Sequence, residues 1–149
     1  MTISTVDRVF KNFFSKALPV VAGVALIIPA SRKVFGADWR DELGASYQLG
    51  ERDVGSAFFL LVGLLEFVLA AAILWPRTRV PAGLAMGGFF VGALFFNLVL
   101  RVDQDVLPDD RSTLGQLIPL DLIHLALGVA VAWLWRTSGK PEHLFVAER

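Results

Sequence analysis

The sequence predicts an all-α integral membrane protein, a bundle of four transmembrane helices with up-down-up-down topology. Hydrophobic residues make up 55% of the 149 residues and charged residues only 19%, and the mean hydropathy is +0.60. The apolar residues gather in four stretches, each close to the length of about 20 residues that a helix needs to cross a bilayer. We therefore expect a single transmembrane domain over residues 1–149.

The predicted spans cover residues 13–31, 56–75, 80–100 and 116–135. Spans two and three are joined by Pro76-Arg77-Thr78-Arg79, which is too short for anything but a tight turn. Pro76 ends one helix and Pro81 begins the next, since proline fits the first turn of a helix better than its interior. These two spans therefore form an antiparallel hairpin.

The longer outer loop covers residues 32–55. Its segment from Asp38 to Glu42 predicts a short interfacial helix, and Trp39 and Tyr47 are aromatic residues of the kind that favour a membrane–water interface. The loop then caps one end of the bundle. The third connection, residues 101–115, is acidic and is interrupted by a proline, which indicates a solvated loop.

Lysine and arginine residues indicate how the chain is oriented. Eight of the 14 lie in the N-terminus, the 76–79 turn and the C-terminal tail, and six lie in the other two loops. The positive-inside rule places the first group in the cytoplasm, which predicts an N-in, C-in, multi-pass protein of a bacterial-type inner membrane. A cleaved signal peptide is the alternative for the first span, but Ile28 is a poor small residue for the A-x-A cleavage pattern and three more spans follow.

Composition and motifs exclude several classes of function. The formal net charge is zero and no basic run resembles a nucleic-acid footprint, so nucleic acid is not an expected partner. The chain has no cysteine, which excludes disulfides, iron–sulfur clusters and a thiol relay carried by this chain. It has no Walker-type loop, GxSxG or HExxH motif, so hydrolase and nucleotide-binding functions have no residue support.

Polar residues inside the spans are the candidate functional residues, because ionisable groups facing lipid are costly and are expected to turn inward. Glu66 lies near the middle of span two. Asp121 and His124 share one face of span four, as Asn97 and Arg101 do at the end of span three. The candidate ligand-binding or buried polar cluster therefore comprises Lys33, Glu66, Asn97, Arg101, Asp121 and His124.

This cluster has four interpretations. It is a purely structural network of hydrogen bonds between helices, a site for an amphipathic molecule such as a quinone or lipid, a proton or ion pathway through Glu66, or a metal site. We expect no metal, because His124 is the only histidine within the spans and the paired Glu-x-x-His motifs of di-iron bundles are missing. In the second interpretation the apolar part of the ligand is lined by Phe59, Phe67, Phe89, Phe90, Phe95 and Phe96.

Glycines in span three indicate close helix packing. Gly83 and Gly87 form one G-x-x-x-G pair, and Gly88 and Gly92 form a second, a spacing that lets a neighbouring helix approach closely. Packing within the chain is the favoured interpretation, and an oligomer contact is the alternative.

Three segments resemble the DoxX-like family of small four-span membrane proteins. They are Ala30-Ser31-Arg32-Lys33-Val34-Phe35-Gly36 closing the first span, Leu64-Leu65-Glu66-Phe67-Val68-Leu69 in the second, and the Trp75-Pro76-Arg77-Thr78-Arg79 turn into a Gly/Ala-rich third. The resemblance covers most of the chain and implies a four-helix membrane bundle. Some relatives serve as the membrane subunit of a thiosulfate:quinone oxidoreductase and others as membrane anchors of oxidant-defence assemblies. Lys33 and Glu66 are the only residues of this chain to which the resemblance extends a family position.

The spans leave no soluble domain to house an active site, so no catalytic residue is assigned and the chain is not expected to be an enzyme on its own. We expect an accessory or anchoring subunit of a larger, quinone-linked redox membrane complex, with the bilayer and other membrane subunits as partners. The alternatives are an oxidoreductase subunit with its own quinone or lipid site in the outer half of the bundle, and a proton or ion pathway. No covalent cofactor is expected, and quinone or lipid is the candidate bound molecule.

Overall fold

The structure, a computed structural model, describes residues 3–49, 51–99, 101–102 and 114–137. These residues form five helices and three short strands. The helices are α1 (Ile3–Phe35), α2 (Ala37–Ser46), α3 (Ser56–Leu74), α4 (Arg79–Val99) and α5 (Leu114–Thr137). The strands are β1 (Tyr47–Leu49), β2 (Arg52–Asp53) and β3 (Arg101–Val102).

Four of the helices are long and apolar enough to cross a membrane, which confirms the predicted transmembrane helices. The spanning segments are Phe13–Phe35, Ser56–Leu74, Arg79–Val99 and Ile118–Arg136. Their outward faces carry large apolar side chains such as Leu61, Phe95 and Leu98, each about two-thirds exposed. Exposing so much apolar surface is unfavourable in water but not in the hydrocarbon core of a bilayer. The chain is a multi-pass membrane protein.

Side chains from neighbouring segments satisfy the carbonyl groups at the ends of two spans. Arg40 of α2 donates from Nη1 to the carbonyl oxygens of Lys33 and Val34 at the end of α1, at 3.1 and 3.2 Å. Thr78 donates to the Ala72 carbonyl at 2.6 Å, and Arg79 donates to the Ile73 carbonyl at 3.2 Å. The last carbonyls of a helix have no partner within it, so these contacts fix where α1 and α3 end.

The connection of residues 32–55 has more regular structure than the sequence predicts. The short helix α2 is present, and β1 pairs antiparallel with both β2 and β3, giving the strand order β2-β1-β3. Strand β3 directly follows α4, and its Arg101 lies opposite Gln48. Strands of two or three residues are too short to show an alternating pattern, which is why the sequence predicts a plain loop here.

Tyr47 is buried inside the protein. The sequence predicts a position at the membrane interface for its ring, and the structure adds that only 2% of Tyr47 is exposed. Its ring packs against Phe59 and Phe96, with centroids 5.4 and 5.3 Å away. The Tyr47 side chain therefore lies against both α3 and α4.

The main hydrophobic core lies where the four spans meet. Helix α1 packs mainly on α3, and α4 packs mainly on α5. Gly83 and Gly128 allow the second contact, because a Cβ added to Gly83 would lie 2.7 Å from the Gly128 carbonyl oxygen. The buried core residues are Ala22, Leu26, Leu69, Ala70, Ile73, Ala82, Met86, Phe90 and Val131.

Part of the sequence predictions falls outside the described residues. The acidic part of the third connection, residues 103–113, and the C-terminal tail, residues 138–149, belong to this part, as does the side chain of Arg101.

Candidate functional site

A buried ion pair joins α1 to α3. Lys33 Nζ lies 2.5 Å from Glu66 Oε1, and the two side chains are 8% and 2% exposed. Glu66 belongs to the middle of its span, where an uncompensated carboxylate is costly. Lys33 stands near the C-terminal end of α1 and supplies the compensating charge.

Gly63 makes this ion pair possible. It precedes Glu66 by three residues and lies on the same face of α3. A Cβ at Gly63 would lie 2.7 Å from Lys33 Cβ and 3.2 Å from the Ala30 carbonyl oxygen. The missing side chain therefore lets the two helices approach closely at the level where Lys33 reaches Glu66.

A second set of polar contacts joins the segment of residues 32–55 to α4 and α5. The Tyr47 hydroxyl donates to Asn97 Oδ1 at 2.6 Å, and Asn97 Nδ2 donates to Asp121 Oδ2 at 2.5 Å. Each bond fixes the next, because the amide can accept only through its oxygen and donate only through its nitrogen. Strand β3 places the end of α4 beside β1, which brings Asn97 to Tyr47.

The two polar groups border one cavity of about 330 Å³. This volume is at the lower end of the range of about 300–1,000 Å³ found for small-molecule pockets. Its polar lining consists of Lys33, Tyr47, Glu66, Asn97 and Asp121. Its aromatic lining consists of Phe58, Phe59, Phe89, Phe90 and Phe96. An apolar cavity with a few convergent polar groups is the usual form of a binding site for a small amphipathic molecule.

One oxygen of the ion pair remains unsatisfied. Glu66 Oε2 is buried and has no hydrogen-bond partner among the residues that the structure describes. Leaving a buried acceptor without a donor costs about 1–3 kcal/mol, and more for a charged group. A donor that reached this oxygen would recover that energy.

His124 has a different environment from the other candidates. Its ring stacks on Phe90, with centroids 4.5 Å apart, so Phe90 presents one face to His124 and also lines the cavity. His124 Nε2 lies 3.0 Å from the Ala25 carbonyl oxygen of α1, and Nδ1 lies 2.7 Å from the Leu120 carbonyl oxygen.

The contact with Ala25 has a cause in the sequence of α1. In a regular helix the N–H of residue 29 would bond the carbonyl of residue 25, but residue 29 is proline and has no N–H. A neutral imidazole donates from one nitrogen only; in the tautomer protonated on Nε2, His124 would donate to the carbonyl that Pro29 leaves without its helical partner. This arrangement assigns His124 a structural role between α1 and α5.

The structure thus brings Lys33, Glu66, Asn97 and Asp121 to one cavity and gives His124 separate contacts. Among the predicted aromatic residues, Phe59, Phe89, Phe90 and Phe96 line the cavity, whereas Phe67 packs on Phe35 and Phe95 is 67% exposed.

The predicted glycine pairs have different surroundings. Gly83 and Gly87 face α5, while Gly88 and Gly92 line the cavity and have no described atom within 4 Å of an added Cβ.

Sequence reasoning misses three residues of the site: Tyr47, Phe58 and Gly63. Tyr47 lies in a polar loop, so no helical spacing links it to Asn97. Gly63 carries a detectable signal, since it stands three residues before Glu66 on the same helical face. However, the spacing does not show which helix packs against Gly63, so it does not predict the close approach of α1.

No group of three or more His, Cys, Asp or Glu side chains in the described part of the chain could hold a metal ion. Comparisons of the chain with protein-family models, curated proteins and solved structures give no match.

Proposed function

We propose that this chain is a membrane-embedded binding protein that takes one amphipathic small molecule, of the quinone or lipid class, into the cavity between its helices. The observation that carries this proposal is the cavity of about 330 Å³ with aromatic walls and a buried polar cluster. The ring or chain of the ligand would lie among the phenylalanines, and its polar head would lie beside Lys33, Glu66 and Asn97.

Access to the cavity is from the lipid, across the face of α4. Gly88 and Gly92 line the cavity and are themselves exposed. Phe58, also in the lining, is 39% exposed. A molecule dissolved in the bilayer can therefore enter sideways between these residues, without crossing water.

Filling the opening tests this proposal. Gly92→Leu places a side chain in space where no described atom lies within 4 Å of the Cβ, so the helix keeps its packing and gains helix propensity. The matched control is Ala85→Leu, an exposed position of α4 that does not belong to the described lining. The measurement is native mass spectrometry of protein released from nanodiscs made directly from the producing membranes.

We expect a small-molecule adduct on the wild-type chain and on Ala85→Leu, and its loss from Gly92→Leu. A wild-type chain without any adduct, or an adduct that persists in Gly92→Leu, would contradict the proposal.

A role as an accessory or anchoring subunit of a quinone-linked redox complex is a second candidate. The observation in its favour is the open face of α4 around Gly88 and Gly92, where small residues allow another helix to approach. The resemblance to DoxX-like proteins supports the same proposal. Mild-detergent purification followed by protein mass spectrometry tests it: stoichiometric subunits with haem or flavin support the role, and a lone chain contradicts it.

We propose in addition that the helices run up-down-up-down, with both termini in the cytoplasm and residues 32–55 on the outer side of a bacterial-type inner membrane. The distribution of lysine and arginine, eight against six, supports this orientation.

A further inference from the structure

We infer that the molecule held in the cavity carries a neutral hydroxyl on an aromatic ring, and that this hydroxyl donates its hydrogen bond to Glu66. This inference rests on the proposed binding function and adds the chemistry of the head group. Three features of the described residues carry it: the unsatisfied oxygen of Glu66, the presence of Lys33, and the shape and composition of the cavity.

The unsatisfied oxygen sets the direction of the hydrogen bond. Glu66 lines the cavity, and its Oε2 is buried without a partner in the described part of the chain. A carboxylate paired with lysine is an acceptor only. The terminal torsion of a glutamate side chain is soft, so rotation about it can turn Oε2 toward a donor in the cavity. The ligand must therefore supply an O–H or N–H group.

Lys33 favours a neutral donor at this oxygen. Its Nζ already lies 2.5 Å from Glu66 Oε1. An ammonium head group would place a second cation beside Lys33 in a low-dielectric environment, where like charges repel strongly. A hydroxyl satisfies the remaining oxygen without adding charge.

The cavity determines the rest of the molecule. Its volume of about 330 Å³ accommodates one ring with a chain rather than the two chains of a phospholipid. The rings of Phe58 and Phe96 are stacked at 5.2 Å, and Phe59 meets Phe58 edge-on at 5.3 Å. Such walls favour a further aromatic ring through offset or edge contacts.

A pair of probes that differ only in the donor tests the inference. The probes are 4-octylphenol and its methyl ether, 4-octylanisole, titrated calorimetrically into nanodiscs that hold the wild-type chain. Nanodiscs with Gly92→Leu correct for partition of each probe into lipid. We expect the phenol to bind at least tenfold more tightly than the ether.

Removing the acceptor must abolish this preference. Glu66→Leu removes both acceptor oxygens together with the charge. Because it leaves Lys33 without its counter-ion, a second variant is needed in case the first fails to fold. The double variant Lys33→Met/Glu66→Leu replaces the whole pair by apolar side chains. We expect the two probes to bind within about twofold of each other in either variant that folds.

The outcomes separate the two proposals. If both probes bind the wild-type chain equally and Gly92→Leu blocks both, the cavity binds ligands and the hydroxyl inference is wrong. If the double variant retains the tenfold preference, Glu66 is not the acceptor and the inference is again wrong. Tighter binding of 4-octylbenzylammonium than of the phenol would also overturn it, since a cation would then be preferred. If neither probe binds the wild-type chain, the proposed function fails together with the inference.

Discussion

Lys33 and Glu66 are two charged residues in an apolar environment, and each is tolerable only because of the other. Their side chains are almost completely buried and lie in direct contact. Removing water from two charges costs about as much as their attraction returns, so such a pair adds little net stability. A single unpaired member, in contrast, is strongly destabilising. The pair therefore serves better as a device that fixes the register of α1 against α3 and presents Glu66 to the cavity.

This view predicts a strongly non-additive mutant cycle. Lys33→Met should lower the free energy of unfolding by about 3–5 kcal/mol, because Glu66 remains buried without a counter-charge. Lys33→Met/Glu66→Leu should return the stability to near the wild-type value or above it. Unfolding by SDS titration in mixed micelles measures both. Glu66→Leu completes the cycle, and losses from the two single variants that add up in the double variant would show that the pair is not coupled.

His124 and Pro29 are a second coupled pair, although 95 positions separate them and they do not bond each other. His124→Phe keeps an aromatic ring beside Phe90 and removes the Nε2 atom that lies 3.0 Å from the Ala25 carbonyl oxygen. We expect a loss of about 1 kcal/mol, the usual size of a hydrogen bond between membrane helices. In the Pro29→Ala background residue 29 regains its N–H and can bond the Ala25 carbonyl, so the same substitution should cost almost nothing.

The four proteins of this cycle are compared by the same SDS titration. If His124→Phe lowers the free energy of unfolding equally in both backgrounds, a hydrogen bond from His124 to the Ala25 carbonyl is not the cause of the loss. The control is the stacking contact, which the phenylalanine ring retains in both backgrounds.

At the scale of the helix, small residues decide which faces meet. Gly63 sits where α3 touches α1, and an added Cβ would lie 2.7 Å from Lys33 Cβ. Gly88 belongs to α4 at the cavity opening and has no described atom within 4 Å of such a Cβ. The two glycines therefore differ in packing while they share the low helix propensity of glycine.

This difference gives a matched prediction. Gly63→Ala should destabilise the protein by about 1–3 kcal/mol, because an overpacked contact forces the helices apart. Gly88→Ala should leave stability unchanged or raise it by up to about 1 kcal/mol, the gain in helix propensity. Thermal unfolding in detergent, followed by circular dichroism, measures both. A loss of similar size at the two positions would indicate that propensity or lipid contacts, rather than the α1–α3 contact, set the cost.

The sequence determines the four spans well because a helix in lipid must be long and apolar, and that requirement is visible in composition. The ends of α3 and α4 agree with the prediction within one residue at each end. The small sheet escapes prediction because its strands are only two or three residues long. The site is predictable only in part: burial cost identifies Glu66 and Asp121, but the ring of Tyr47 enters the cavity through a tertiary contact that no local pattern records.

At the scale of the whole molecule, the arrangement is a membrane bundle with its polar side chains concentrated around one cavity. The segment of residues 32–55 contributes to that concentration, because Arg40 of α2 caps α1 and β1 places Tyr47 beside Asn97. Segments outside the spans therefore complete a site within them. The side of the membrane on which these segments lie determines the compartment from which a partner can reach the site.

The absence of cysteine from the chain allows that sidedness to be tested directly, since every introduced cysteine is unique. Glu51 and Arg77 are exposed and lie just before and just after α3, a helix of 19 residues that is roughly 28 Å long. If residues 32–55 are outside and the 76–79 turn is cytoplasmic, a membrane-impermeant maleimide should label Glu51→Cys in intact spheroplasts. It should label Arg77→Cys only after lysis.

Asp41→Cys, exposed on α2, is the matched control and should behave like Glu51→Cys, because both belong to the same connection. The reverse pattern would place the termini outside and the cavity's polar cluster toward the cytoplasm. Equal labelling of Glu51→Cys and Arg77→Cys in intact spheroplasts would show that the protein inserts in both orientations. This outcome is worth testing because the basic residues are divided only eight to six between the two sides. A single orientation would mean that this small excess, together with the charged outer segment, is sufficient to orient all four spans.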